Sequence, residues 1–179
     1  MGQSQHIALF ARKGIYAITN PASNLKLASG IAPVDKMLSA GVPMAIGTDG
    51  AASNNALDMF REMYLASCLQ KVSRNDAAAG RAENILTMAC VGGARAMGLN
   101  DCDDIAQGKK ADLVVIDLNR PNMQPVNNIA KNLVFAGSKE NVRLTMVNGR
   151  VLYEKGQFFV GEKPEEIYRQ AEEWNRSIL

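Results

Sequence analysis

The sequence predicts an α/β protein: strand–helix units up to residue 99, then a small β segment and a closing helix. Three observations predict this. Apolar β-type runs alternate with helical patterns through the first ~98 residues, as parallel α/β units do. Asn148-Gly149 lies between two strand-like runs and is the strongest short hairpin signal a sequence carries. Pro164, Glu165 and Glu166 then open a helical pattern near the C-terminus. The expected division is therefore 1–99, 100–160 and 161–179.

Each element has its own signal. Ile7 to Arg12 reads as the end of a helix closed by Gly14, and Ile15 to Ile18 as a short buried strand. The strand runs into a polar loop, Thr19 to Asn24. Pro33 suits the first turn of a helix and Gly41 its C-terminal cap, with Val34, Met37 and Leu38 as the apolar stripe between them. Val42 to Ile46 is a second strand, ending at Gly47-Thr48-Asp49-Gly50. Leu57, Phe60, Tyr64 and Cys68 recur at helical spacing and mark an amphipathic helix. A further helix covers Ala77 to Met97, with Asn75 or Asp76 as its N-cap. After Gly98 the texture changes. Ala111 to Asp117 is a strand behind the turn Gly108-Lys109-Lys110, and Val142 to Val147 pairs with Arg150 to Glu154. In the last helix Ile167, Ala171, Trp174 and Ile178 share one face. Met37, Met44, Met59, Met63, Met88 and Met97 read as core filler.

Composition narrows the function classes. A chain 47% hydrophobic and 21% charged is that of a folded globular protein. The net charge of +2 comes from 20 basic and 18 acidic residues, interspersed without a basic block. Nucleic acid and acidic membrane surfaces are therefore poor partners. No apolar run reaches the ~18 residues of a membrane span, and the first residues lack a secretory layout. Cys68, Cys90 and Cys102 form no C-x-x-C pair, which fits reduced thiols in a cytoplasmic protein.

Asp49 is the acidic residue with the strongest claim to chemistry. It follows a predicted parallel strand, and in α/β barrels that end of the strand collects catalytic groups. It could equally cap the helix that follows. Asn20, Ser23, Asn24 and Lys26 form a second polar cluster, for which a simple turn is the default and a substrate-facing role the alternative. His6 is the only histidine and lies among polar residues, so it reads as a surface residue. One histidine cannot build a zinc site, which usually needs three protein ligands plus water.

Two ungapped stretches carry a family resemblance. The run Asn20-Pro21-Ala22-Ser23-Asn24-Leu25-Lys26-Leu27-Ala28-Ser29-Gly30-Ile31-Ala32-Pro33 resembles the segment after barrel strand seven in methylthioadenosine/adenosylhomocysteine deaminases. The run Gly47-Thr48-Asp49-Gly50-Ala51-Ala52-Ser53-Asn54-Asn55, followed by Leu57-Asp58-Met59-Phe60, resembles their strand-eight motif. Gly108 to Val114 and Val147 to Arg150 are similar to the composite β domain of the wider amidohydrolase superfamily.

The resemblance implies the C-terminal part of a (β/α)₈ barrel, strands seven and eight with their helices, plus part of a composite β domain and a C-terminal helix. It implies one divalent metal, zinc in most members. The family's metal ligands are a His-x-His pair, a further histidine and an aspartate that Asp49 matches. Asp49 would contact the metal and take a proton from water, Asn20 and Ser23 would face a nucleoside substrate, and hydroxide would displace ammonia from the purine C6. Related chemistries in the same superfamily are guanine deamination and triazine hydrolysis.

The His-x-His is absent, and a whole barrel needs ~250 residues. The first six strands are thus expected on a missing N-terminal barrel half. The chain alone is expected to be inactive, to bind no metal and to self-associate through exposed strand edges and apolar faces. A non-catalytic assembly partner is the alternative from another class. Met1 to Gln5 has the look of an artificial start. One departure lies inside the match: Thr19 stands where the family commonly has a histidine before the Asn-Pro.

Overall fold

The structure, a computed structural model, describes residues 3–178. Helix α1 (Gln3–Lys13) ends at Gly14, whose φ of +61° is left-handed. It returns the chain into β1 (Ala17–Thr19). Helix α2 (Pro21–Lys26) follows at once, then α3 (Val34–Ser39) and β2 (Met44–Ile46). β1 and β2 pair in parallel, with Ala17 beside Met44 and Thr19 beside Ile46. Helix α4 (Met59–Arg74) is capped by Asp58, whose carboxylate accepts the Phe60 and Arg61 amides. Helix α5 (Ala82–Thr87), a π turn at Met88–Gly92 and α6 (Gly93–Ala96) run on without a break.

The second sheet is antiparallel, in the order β3 (Leu113–Ile116), β4 (Val142–Val147), β5 (Arg150–Glu154), β6 (Gln157–Phe158). Asn148 and Gly149 take φ of +50° and +78°, the two left-handed positions of the hairpin turn expected there. Helix α7 (Ile129–Phe135) carries Val134 into the main core, so residues between β3 and β4 return to pack on α4 and α5. Helix α8 (Pro164–Ile178) closes the chain with Ile167, Trp174 and Ile178 all exposed.

The core is one cluster built from Ile7, Val34, Met37, Val42, Met44, Ile46, Met63, Ile85, Met88 and Val134 with their neighbours. Four of the six expected core methionines, Met37, Met44, Met63 and Met88, are buried. Met97 is 68% exposed, because α6 ends before it and Gly98 turns the chain outward.

Other expectations need correction. The strand predicted at 15–18 is shifted and not buried: Ile15 and Ile18 are exposed and only Thr19 is fully covered. The polar loop predicted at 19–24 is largely helix, because Pro21 at the first helical position has no amide to leave unsatisfied. Asn75 does not start a helix but ends α4 in a left-handed conformation. The stripe Leu57, Phe60, Tyr64, Cys68 is not the core face, since Leu57 and Tyr64 are about half exposed. α4 instead buries Glu62, Met63, Ala66, Ser67 and Gln70. Its inward polar groups are all engaged: Ser67 donates to Gly80 O (2.6 Å) and Gln70 to Ala32 O (2.9 Å).

Among the described residues no helix is long and apolar enough to cross a membrane, and the three cysteines are unbridged.

Two local packings yield tests. Gly92 lies against β2, where a Cβ would drive into the Met44 carbonyl oxygen and come within 3.3 Å of Ala45 Cα. Neighbouring Gly93 has nothing within 4 Å. Both have helical dihedrals, so alanine would ordinarily favour the helix by ~1 kcal/mol. Gly93→Ala should therefore raise the melting temperature. Gly92→Ala should lower it, because overpacking against backbone costs about 1–3 kcal/mol. Asp103 is buried between Lys109 and Arg95 (2.8 Å), and hydrogen bonds from Lys109 first and then Arg95 hold its carboxyl down to about 2. That stabilisation is complete above the unfolded carboxylate value of ~3.9 and is lost as pH falls through 2. Asp103→Asn should melt below the parent at pH 7, and the gap should close between pH 4 and pH 2.

Candidate functional site

Parallel pairing brings the two strand exits side by side. Gly47 donates to Thr19 O (3.0 Å) as the last rung, and beyond it Asn20 and Thr48 leave the sheet on the same rim. Gly47 permits this closeness, since a Cβ there would stand 2.5 Å from Asn20 Oδ1. Asn20 is half-buried and accepts the Asn24 amide through its carbonyl, starting α2.

Asp49 stands on this rim with its side chain exposed and φ of +62°. Left-handed backbone is uncommon for a residue with a Cβ, and Asp is among the types that tolerate it. The buried Ser23 hydroxyl donates to Asp49 Oδ2 at 2.6 Å, and the Gly50 amide to Oδ1 at 2.7 Å. These two donors, Ser23 first and then Gly50, hold the Asp49 carboxyl below its ordinary value. It is therefore ionised at neutral pH. Asp49 is not the N-cap of the next helix, because Asp58 fills that place.

The structure thus brings Ser23 and Asp49 into contact and leaves Asn20 beside them. Lys26 ties the two exits a second time, donating to Asn55 Oδ1 (2.7 Å) and Ala52 O (3.3 Å). His6 is exposed on α1, outside this cluster.

Glu62 belongs to the site and is not apparent from motif reading. It is 0% exposed. Its Oε2 accepts the Ala22 amide at 2.9 Å, and its Oε1 accepts Asn54 Nδ2 at 2.6 Å. The same Asn54 amide donates to Thr48 O at 2.6 Å. A buried carboxylate is costly unless its oxygens are hydrogen-bonded, and here both are. The available signal was the spacing Glu62, Ala66, Gln70, a polar and small stripe one residue from Met59 and Met63.

Each Asp49 oxygen keeps a lone pair beyond its one donor, and an exposed ionised carboxylate is a suitable oxygen ligand for a divalent metal. Among the described residues no group of three or more His, Cys, Asp or Glu side chains could hold an ion.

Comparison with known proteins gives this rim its family. Residues 4–152 match the family model described as "Amidohydrolase family". A 5-methylthioadenosine/S-adenosylhomocysteine deaminase from Thermococcus onnurineus is 46% identical over 149 residues, 83% of this chain. Its namesake from Desulforudis audaxviator is 43% identical over 174 residues, 97% of the chain. The chain spans 35% and 40% of the lengths of these two curated relatives. Among solved structures, a zinc-bound adenosine deaminase from Xanthomonas campestris superposes with a TM-score of 0.94 at 37% identity. The match covers 99% of this chain and 40% of that one. A zinc complex of atrazine chlorohydrolase from Arthrobacter aurescens follows at 0.87 and 26% identity, covering 96% and 38%. With the family model matching 149 of its 179 residues, this chain belongs to the amidohydrolase family.

Proposed function

We propose that this chain is the C-terminal part of a metal-dependent deaminase acting on an adenosine-type nucleoside, with 5-methylthioadenosine and S-adenosylhomocysteine as preferred substrates. In this reading β1 and β2 are strands seven and eight of a (β/α)₈ barrel. Residues 1–99 belong to the barrel, 100–160 to a composite β domain, with α7 returning to the barrel side, and 161–179 to a terminal helix. The carrying observation is the Asp49 carboxylate, ionised and exposed at the exit of β2 and braced by Ser23 from the exit of β1. The names and bound zinc of the relatives support the reading.

Asp49 would hold a divalent metal, zinc by preference, together with ligands from upstream of this chain. A bound metal of this kind brings the pKa of water towards ~7 and so supplies a nucleophile at neutral pH. Asp49 would be one of the ligands holding that metal, and its carboxylate would be placed to take a proton from water on the rim. Its donors, Ser23 first, favour the ionised form that a metal ligand needs. Ser23 fixes the carboxylate's rotation, leaving its other lone pairs towards the open rim. Asn20 presents an amide to substrate on the same rim. Thr19 is buried where the family commonly places a histidine, so a charged contact from that position is replaced by a neutral hydroxyl.

The upstream barrel half is the partner this reading requires, and no nucleic acid or membrane enters it. The unbridged cysteines fit a cytoplasmic setting. Ile15, just before β1, and Ile18, within it, are 42% and 55% exposed and are the surface that upstream strands would cover. The isolated chain should therefore be inactive and should associate with itself; a clean monomer by light scattering at high concentration would count against that.

The direct test is Asp49→Asn in the complete protein. Metal content should fall well below stoichiometric, and kcat/KM for methylthioadenosine should drop at least ~10²-fold, the range of a positioned acid–base group. Full metal and activity in this variant would overturn the reading. Activity of the unaltered protein confined to guanine or a chlorotriazine would retain the metal chemistry and reassign the substrate. Stoichiometric zinc on this chain alone would show that it forms a site without an upstream half.

A further inference from the structure

We propose that Glu62 is a positioning residue for Asp49, locking the two strand exits at the separation the reaction needs; this rests on the function proposed above. The observation is a closed ring of contacts. From one side of Asp49, Oδ2 is held by Ser23, the neighbour of Ala22, whose amide is held by Glu62 Oε2. From the other side, Thr48 precedes Asp49, its carbonyl accepts Asn54 Nδ2, and that same amide group donates to Glu62 Oε1. Both paths leave Asp49 and meet on one buried carboxylate.

The ring explains how an exposed residue keeps a demanding conformation. Left-handed backbone at a residue with a Cβ persists where the surroundings over-determine it. Asp49 has no burial of its own to enforce that geometry. Glu62 lies inside the core on α4, the longest helix among the described residues, so it refers both exits to a rigid element. A carboxylate is required because both oxygens accept. Glutamine has nearly the same shape but one acceptor and one donor group. Whichever way its amide is turned, either the Ala22 amide or Asn54 Nδ2 then faces another donor. Glu62→Gln opens the ring at one link while keeping the core volume.

The test uses the complete protein loaded with Co²⁺, comparing Glu62→Gln, Asn54→Ala and the double variant, with Asp49→Asn as reference. Each single variant should lower kcat for methylthioadenosine about 10- to 100-fold with KM within about threefold, as loss of an outer support of a metal ligand does. The cobalt absorption bands should shift. In the metal-free protein, exchange of the Gly50 amide, which Glu62 does not touch, should accelerate. Because both substitutions open one ring, the double variant should lose little beyond the worse single one.

Unchanged kcat and cobalt bands in both single variants would overturn the proposal, as would losses that multiply in the double variant. Should Glu62→Gln fail to fold, Asn54→Ala opens the same ring and is judged by the same criteria. Asp49→Asn separates the two layers. Full activity there removes the functional reading itself, whereas an inactive Asp49→Asn beside undisturbed ring variants removes only the role of Glu62.

Discussion

Three rungs of parallel ladder, Ala17 to Thr19 against Met44 to Ile46, set the geometry on which the rest depends. Parallel strands need a crossover connection, and here α2 and α3 supply it, so the exits of β1 and β2 must open at one edge. Two polar segments far apart in sequence become neighbours by this constraint alone. Ser23 reaches Asp49 across 26 residues because Thr19 and Ile46 are partners in register.

Helix α4 then converts neighbourhood into position. Its inward face carries Glu62, Ser67 and Gln70 where a simple amphipathic helix would carry leucines, and each ties down backbone or side chain from another segment. The arrangement exchanges apolar burial for directional bonds. Hydrophobic contact has no direction, whereas hydrogen bonds to specific amides and carbonyls fix where the loops lie. The apolar burial itself comes from Met44, Ile46, Met63, Ile85 and Met88 around the sheet, and Gly92 allows the π turn to press close to β2.

The same trade explains what could and could not be read from the sequence. The alternation of strand and helix, the Asn148-Gly149 hairpin, the Gly14 stop and the polar exits at Asn20 and Asp49 all have local causes and were readable as such. The inward face of α4 was not. Periodicity assigns burial to apolar residues, so it selected Leu57, Phe60, Tyr64 and Cys68 and passed over a face whose polar members are satisfied only by residues distant in sequence. Ile15 and Ile18 depart in the opposite way: their apolar character predicts burial, yet among the described residues they stay 42% and 55% exposed. Helix α7 is not evident from periodicity because its start signal, Asn128, and the Gly137 beyond its end sit in a segment dominated by loop residues.

The central claim is that the Asp49 carboxylate is a metal ligand, held in place from both strand exits. Anomalous diffraction at the zinc edge from crystals of the complete protein tests it most directly. The account predicts a peak within about 2.0–2.2 Å of an Asp49 oxygen, with Ser23 still bonded to that carboxylate. A zinc peak elsewhere, with Asp49 bonded only to Ser23 and Gly50, would contradict it.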